Sequence, residues 1–230
     1  MKRKAIIFGI KGIKLNQNEK DLLKIYRPWG IILFSRNIKD LMQTKSLIHD
    51  IKRIVKDKNY PIIIDQEGGS VSRLNKIFDL EQFSQSFFGK IYRNDKTSFK
   101  YYYKNYIDNV CNILNDLGIN INTVPVLDIR RKISEKVIGD RSFSYDPKII
   151  SEIGNLCIDL HKKNKIATVV KHIPGHGLTK QDSHNDLPII KGKKNELVNK
   201  DFKVFKNKKS FFAMTAHVIY SAYDSLNTAT

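Results

Sequence analysis

The densest group of ionisable side chains in the sequence lies between residues 171 and 184. It begins with Lys171–Gly177, which reads KHIPGHG, and ends with Asp182–His184, which reads DSH. Three of the chain's six histidines, two lysines and an aspartate fall within these fourteen positions. Such groups can bind polar ligands and transfer protons. A polar surface loop is the alternative, and it does not account for half of the histidines lying in one segment.

Asp182 and His184 are the pair that we expect to transfer protons. A carboxylate two positions from an imidazole can orient the ring and stabilise its protonated form. The unperturbed pKa of histidine, about 6.5, lies near neutral pH, so the ring can act as an acid and then as a base. A helix cap is the alternative, since aspartate and serine are common N-cap residues. Three histidines could also hold a metal ion, which the sequence favours less.

Two further candidate ligand-binding groups lie earlier in the chain. Asp65 begins the segment DQEGG directly after the apolar run Ile62–Ile64. Its carboxylate could accept hydrogen bonds from a ligand, while the two glycines let the backbone approach; a turn with a solvated acid pair is the alternative. Arg141 could donate two parallel hydrogen bonds to a ligand, or it could pair with its neighbour Asp140.

The elements that must position these groups are predicted parallel β-strands. Apolar runs predict six strands, at residues 5–10, 30–34, 61–64, 122–128, 167–170 and 211–218. Helical patterns lie between them, at residues 19–26, 38–55 and 99–117, after Asp146 and Pro147, and near residues 195–206. Such alternation is typical of parallel βαβ units.

The placement of polar residues favours a barrel over an open doubly wound sheet. The polar residues at the ends of successive predicted strands are Asp65, Asp128, Lys171, His172 and His217, and His176 follows closely. Polar residues at the ends of several strands are typical of a (β/α)₈ barrel. About six strands are predicted where a barrel needs eight. The fold class is therefore α/β, as an incomplete barrel of about the first six strand–helix units.

Composition limits the class of protein and its partners. A chain of 230 residues can form one domain, and we expect residues 1–230 to be a single one. The net charge of +18 would suit a nucleic-acid partner. The lysines are dispersed along the whole chain, however, so we expect a solvated charged surface and no nucleic-acid partner.

Neither a membrane nor a disulfide framework is expected. Apolar runs fall far short of the roughly 20 residues that span a bilayer. The first run, residues 5–10, is too short for a signal peptide, so we expect a cytoplasmic protein. Cys111 and Cys157 fall on apolar faces of predicted helices and are expected to be buried thiols.

The motifs taken together resemble those of glycoside hydrolase family 3, and among its members the bacterial β-N-acetylglucosaminidases of cell-wall recycling. The matching segments are residues 64–69 with Arg73 and Leu74, 125–128, 139–143, 171–177, 182–184 and 214–218. The resemblance implies a TIM-type barrel and a retaining hydrolysis that removes terminal N-acetylglucosamine from muropeptides in the cytoplasm. It implies neither a metal ion nor an organic cofactor.

The resemblance also implies roles for individual residues. The residues that would bind hydroxyls of the terminal sugar are Asp65, Arg141, Lys171 and His172. His184, oriented by Asp182, would be the general acid/base, in place of the carboxylic acid that most retaining glycosidases use. The residues that could support the site are His176, His217 and Asp128.

The sequence departs from the family's pattern in two ways. Leu178 stands where the family usually has aspartate. The family's nucleophilic aspartate lies on the next strand, beyond a segment that residues 227–230 begin, so a chain truncated at its C-terminus is expected. Hydrolysis would then be very weak, because the glycosyl intermediate cannot form. The alternatives are an inactive sugar-binding remnant, a split-gene product completed by a second chain, and, more distantly, a nucleic-acid-binding protein.

Overall fold

A curled sheet of six parallel strands forms the centre of the protein. The structure, a computed structural model, describes residues 2–179 and 187–229. The strands, in their spatial order, are β1 (Lys4–Gly9), β2 (Pro28–Leu33), β3 (Ile62–Ile64), β4 (Ile121–Asn122), β5 (Ala167–Ile173) and β7 (Phe212–Thr215). Two short strands, β6 (Ile189–Ile190) and β8 (Ile219–Tyr220), pair in parallel outside this sheet.

Helices connect the strands and cover the outer face of the sheet. They are α1 (Gln17–Ile25), α2 (Leu41–Val55), α3 (Gln85–Asn94), α4 (Lys96–Leu117), α5 (Pro147–Lys163) and the single turn α6 (Lys194–Glu196). Side-chain caps fix where the longer helices begin; the capping residues are Asn16, Asp40, Ser84, Asp95 and Asp146. Each cap satisfies a backbone N–H that has no partner inside its helix.

The main core lies between the helices and the sheet, and a smaller apolar cluster fills the concave face. The small cluster contains Ile63, Ile121 and Val169, surrounded by half-buried side chains. Among these, the rings of Trp29 on β2 and Phe212 on β7 are 5.4 Å apart. A contact between the second and the last strand of the sheet requires strong curling. Six curled parallel strands confirm the prediction of an incomplete barrel.

Several element predictions were wrong in detail. The run at residues 122–128 was predicted as one continuous strand, but β4 ends at Asn122, and the run pairs with β5 again at a bridge between Val126 and Lys171, after Pro125, which has no N–H to donate. The lysine-rich segment near residues 195–206 forms only short α, π and 3₁₀ turns. Helix α3 was not predicted. Cys111 and Cys157 are buried free thiols, as expected.

Helix α3 packs unusually close to the segment that carries Arg141. A Cβ on its Gly89 would lie 1.7 Å from the carbonyl oxygen of Phe143, so only glycine permits this approach. Gln85, at the start of the same helix, accepts a hydrogen bond from the backbone N–H of Val126 and donates one to the carbonyl oxygen of Arg141. The helix therefore ties together two segments that lead to the site. Within the described residues, no helix is long and apolar enough to cross a membrane.

Candidate active site

The carboxyl ends of the strands open into a cleft of ≈ 380 Å³. Its charged and imidazole side chains are Asp65, Glu67, Arg73, Arg141, Lys171, His172, His176 and His217. Six of these are residues that the sequence predicted for the site. Apolar residues from β2 and β7, including Ile32 and Met214, continue the lining into the concave face of the sheet.

Lys171 lies at the centre of the cleft and is almost completely buried, with its side chain 2% exposed. Its Nζ is 2.6 Å from Glu67 Oε1 and 3.0 Å from Asp65 Oδ1. It also donates to Thr123 Oγ1 at 2.9 Å. An ammonium group has three N–H donors, and these three acceptors engage all of them. Lys171 therefore fixes the two carboxylates in place, and its buried charge is compensated.

Asp65 presents a carboxylate that stays ionised at any ordinary pH. Burial alone would raise its pKa, but the charge of Lys171 and hydrogen bonds from Thr123 and Lys171 lower the pKa to about 2. Arg73 adds a more distant cation, with Nη2 3.6 Å from Asp65 Oδ2. Because an ionised carboxylate only accepts hydrogen bonds, Asp65 is suited to a ligand that donates them, such as a hydroxyl group.

Arg141 pairs with Glu67, not with its sequence neighbour Asp140. Its Nε and Nη2 each lie 2.9 Å from a carboxylate oxygen of Glu67, which is a bidentate pair. Burial opposes ionisation of Glu67, but the charges of Lys171 and Arg141 outweigh it and lower its pKa. Asp140 instead accepts hydrogen bonds from the backbone N–H and the hydroxyl of Ser70.

A reciprocal backbone contact holds Asp65 and Glu67 in position. The side chain of Asn122, the last residue of β4, accepts from the backbone N–H of Gln66 and donates to its carbonyl oxygen, each at 3.0 Å. Gln66 lies between the two acidic residues. The end of β4 therefore orients the acidic segment that follows β3.

Asp128 anchors the segment that carries both histidines of the KHIPGHG motif. Its Oδ2 lies 2.6 Å from His172 Nδ1 and accepts from the His172 backbone N–H at 3.2 Å. Its Oδ1 accepts from the His176 backbone N–H at 2.5 Å. Although burial opposes ionisation, His172 and these hydrogen bonds lower the pKa of Asp128. An ionised Asp128 requires a proton on His172 Nδ1, which directs Nε2 towards Arg141 Nη2 at 3.4 Å.

His176 forms part of the cleft wall beside His172, with ring centroids 5.9 Å apart. Its ring is buried, and burial lowers its pKa. Nδ1 of this ring has no hydrogen-bond partner among the residues that the structure describes. The turn itself depends on Gly175, whose φ of +138° is unfavourable for other residues, and whose carbonyl oxygen accepts from the Tyr220 hydroxyl. His217, from the end of β7, also lines the cleft and is exposed.

The predicted proton-transfer pair, Asp182 and His184, lies outside the described residues. Leu178, which departs from the family's pattern, packs against a small apolar cluster that includes Ile190 and Val218. Leu178 therefore makes an apolar contact at a position where the resemblance implies aspartate.

Among the residues that the structure describes, the charges of the carboxylates and of the lysine and arginine side chains at the cleft balance. Three carboxylates, on Asp65, Glu67 and Asp128, stand against three cations, on Arg73, Arg141 and Lys171. This balanced set of described side chains is suited to a neutral ligand rich in hydroxyl groups.

Sequence reasoning did not assign Glu67, Arg73 or Thr123 to the site. Glu67 and Arg73 lay within segments that carried the resemblance, so a signal was present. Nothing in the sequence indicated a functional role for Thr123, which is the second residue of the predicted strand 122–128. Its role becomes visible only through its contacts with Asp65 and Lys171.

The matches to known proteins agree with this geometry. Residues 3–230 match the family model for the glycosyl hydrolase family 3 N terminal domain. The chain belongs to glycosyl hydrolase family 3. The family resemblance drawn from the motifs is therefore confirmed.

Curated relatives in this family include β-hexosaminidases of two Haemophilus species. The protein from Haemophilus influenzae is 33% identical over 225 residues, which are 96% of this chain and 62% of that protein. The protein from Haemophilus ducreyi is 35% identical over 224 residues, which are 95% of this chain and 63% of that protein. The chain thus spans less than two thirds of the length of these relatives.

Solved structures of NagZ from Neisseria gonorrhoeae share the fold. The native structure matches with a TM-score of 0.87 and 28% identity, over 96% of this chain and 65% of that one. A second structure of the same protein, in complex with N-trifluoroacetyl-D-glucosamine, matches with a TM-score of 0.86.

Proposed function

We propose that the cleft binds the terminal N-acetylglucosamine of a glycan and is the sugar-binding part of a β-N-acetylhexosaminidase site. The observation that carries the proposal is the charge-balanced cluster in which Lys171 and Glu67 hold Asp65 and Arg141 at the carboxyl ends of the strands. The sugar analogue bound by the Neisseria gonorrhoeae relative supports the same class of ligand.

Each residue of the cluster has a role that its contacts suit. Asp65 accepts hydrogen bonds from sugar hydroxyls, and Arg141 and His172 contact the same sugar. Arg73 is added to this set, because its Nε is buried without a hydrogen-bond partner in the described part of the chain. Lys171 acts through the carboxylates that it orients. Asp182 and His184 remain the proposed general acid/base pair, on the resemblance alone.

Hydrolysis by this chain alone is proposed to be weak. A retaining mechanism needs a carboxylate free to attack the sugar. The carboxylates that the structure describes at the cleft, those of Asp65, Glu67 and Asp128, each have a lowered pKa and are held by cations or an imidazole. Such groups are poor nucleophiles. This observation favours the second candidate function, a sugar-binding protein with little or no turnover.

Four further properties of the protein are proposed from the family resemblance. They are a muropeptide as the natural ligand, retention of configuration, a location in the cytoplasm and one domain over residues 1–230.

One experiment separates the candidate functions. The chain is titrated with N-acetylglucosamine by calorimetry and assayed for release of chromophore from an aryl N-acetyl-β-glucosaminide. We expect saturable binding of the sugar and little release of chromophore. Release that His184→Ala abolishes would show a working enzyme. Salt-sensitive binding of DNA by a folded chain that gives no heat with the sugar would overturn the proposal.

A further inference from the structure

His161, on helix α5, is a buried histidine that has no role yet in the proposed sugar site. The residue is 1% exposed. Its Nδ1 lies 2.9 Å from the carbonyl oxygen of Cys157, one turn earlier on the helix. Because a carbonyl oxygen only accepts hydrogen bonds, the proton of the neutral ring lies on Nδ1, and Nε2 is an acceptor. Burial lowers the pKa of His161 to about 4, so the ring is neutral at pH 7.

The acceptor nitrogen of His161 faces the side chain of Asn122, at the end of β4. Its Nε2 lies 3.4 Å from Asn122 Nδ2, which also donates to the carbonyl oxygen of Gln66 at 3.0 Å. Asn122 Oδ1 accepts from the Gln66 backbone N–H at 3.0 Å. A carboxamide has two N–H donors and one oxygen, and these contacts engage both donors and the oxygen. All three residues are buried.

His161 distinguishes between the two orientations of the Asn122 carboxamide. If the amide were turned over, its oxygen would face the unprotonated Nε2 of His161, and its NH₂ group would face the N–H of Gln66. Two acceptors would then oppose each other, and so would two donors. Buried polar groups without partners are costly, so the neutral ring selects the orientation in which Asn122 binds both backbone groups of Gln66.

His161 lies behind the acidic segment (residues 65–67), away from the cleft. The histidine lines a small buried cavity of ≈ 10 Å³ together with Asn122, Gln66 and Glu67. Glu67 lines both this cavity and the cleft, whereas His161 lines the cavity alone. The two carboxylates that flank Gln66 hold the cations of the cluster. His161 can therefore affect a bound sugar only through Asn122 and the acidic segment.

We propose that His161 is a positioning residue of the sugar site: its imidazole fixes the Asn122 carboxamide, which in turn holds the acidic segment in place. The inference rests on the proposed function of the cleft. A histidine that only fills space in the core is the alternative. Filling space needs the size of the ring and not its acceptor nitrogen, so substitutions that keep or remove the acceptor separate the two roles.

The test compares His161→Gln with His161→Phe. Glutamine can place its amide oxygen near the position of Nε2 and so keeps an acceptor for Asn122. Phenylalanine fills the space but leaves one N–H of Asn122 without a partner. Ile150→Val, at a buried position near the beginning of α5, is the control for a small loss of packing in the same helix. Denaturant unfolding gives the stability of each variant.

Hydrogen exchange at the Gln66 backbone amide reports the positioning without any ligand, because Asn122 Oδ1 accepts from this N–H. We expect exchange to be about tenfold faster in His161→Phe than in the control, and close to that of the unchanged chain in His161→Gln. Titration with N-acetylglucosamine should follow the same order, with affinity about tenfold lower in His161→Phe.

Nuclear magnetic resonance of the unchanged chain gives a second readout that needs no variant to fold. The imidazole nitrogens of His161 should show the proton on Nδ1 and none on Nε2 at neutral pH. A proton on Nε2 would overturn the proposal, since that nitrogen could not then accept from Asn122.

Three further results would overturn the proposal. The first is equal exchange of the Gln66 amide in His161→Phe and Ile150→Val. The second is an equal loss in His161→Gln and His161→Phe, which would assign the effect to the shape of the ring. The third is faster exchange in His161→Phe with unchanged affinity for the sugar. Absence of heat from the unchanged folded chain would instead contradict the proposed function of the cleft, and exchange at Gln66 would still decide whether His161 orders the acidic segment.

Discussion

Nδ1 of His172 lies 2.6 Å from Oδ2 of Asp128, whose carboxylate is completely buried. Asp128 also accepts hydrogen bonds from the backbone N–H groups of His172 and His176. One carboxylate therefore sets both the path of the KHIPGHG segment and the orientation of the first imidazole. The proton on Nδ1 leaves Nε2 facing Arg141 in the cleft.

This relationship predicts the tautomer of His172 and the effect of Asp128→Asn. Nuclear magnetic resonance of the imidazole nitrogens should show the proton on Nδ1. Asp128→Asn should weaken binding of N-acetylglucosamine about tenfold or more, because the ring and the turn lose their common anchor. An Nδ1 without a proton at neutral pH would contradict the assignment.

Glu67→Gln should destabilise the fold strongly. The substitution removes the charge of a buried carboxylate that holds Arg141 and Lys171, so Arg141 loses its ion-pair partner and Lys171 keeps only Asp65 as a counter-charge. Breaking a buried pair in this way costs about 3–5 kcal/mol of unfolding free energy. Denaturant unfolding measures it, with Glu196→Gln on the exposed turn α6 as the control. A loss no larger than that of the control would show that the pair contributes little.

Asp65→Asn should change how stability depends on pH. The pKa of Asp65 is about 2 in the folded chain, against an ordinary value of 3.8, so its carboxylate stabilises the fold above about pH 4. That contribution, about 2 kcal/mol by linkage, is lost as pH falls towards 2. The variant should be less stable at pH 7 and should lose less stability between about pH 4 and pH 2. Parallel curves for the two proteins would contradict the pKa.

Arg73→Ala tests a residue that the structure adds to the site. Its guanidinium lies 3.6 Å from Asp65 and lines the cleft, so its removal should weaken sugar binding by about tenfold. Arg53→Ala, which removes an exposed arginine from α2, is the matched control. Equal affinities for the two variants would remove Arg73 from the binding set.

Much of the site could be predicted because it follows from strand order. Asp65, Lys171 and His172 come at the ends of parallel strands, and such ends meet at one edge of the sheet. The sequence could not show that Arg141 pairs with Glu67, because Asp140, next to Arg141 in the chain, carries the same negative charge as Glu67. Only the fold shows that the Asp140 carboxylate binds Ser70 instead. The partner of a charged group depends on which loops the fold brings together.

The apolar pattern of the sequence alone did not predict helix α3 or the residue at which β4 ends. Gly89 weakens the helical signal of α3, yet the close contact with Phe143 requires it. The apolar run after Asn122 has strand character and still pairs with β5, through a bridge between Val126 and Lys171, but Pro125 has no N–H to donate, so the pairing is irregular before Asp128. In both cases a tertiary contact or a missing donor outweighs the local apolar pattern.

The central claim is that the cluster around Asp65 and Lys171 binds N-acetylglucosamine. Titration calorimetry of the chain, Asp65→Asn and the exposed-surface control Asp159→Asn tests it most directly, with folding of each confirmed by circular dichroism. We expect saturable binding at one site in the chain and the control, and affinity at least about tenfold lower in Asp65→Asn. Equal affinity in all three proteins, or no heat from the folded chain, would contradict it.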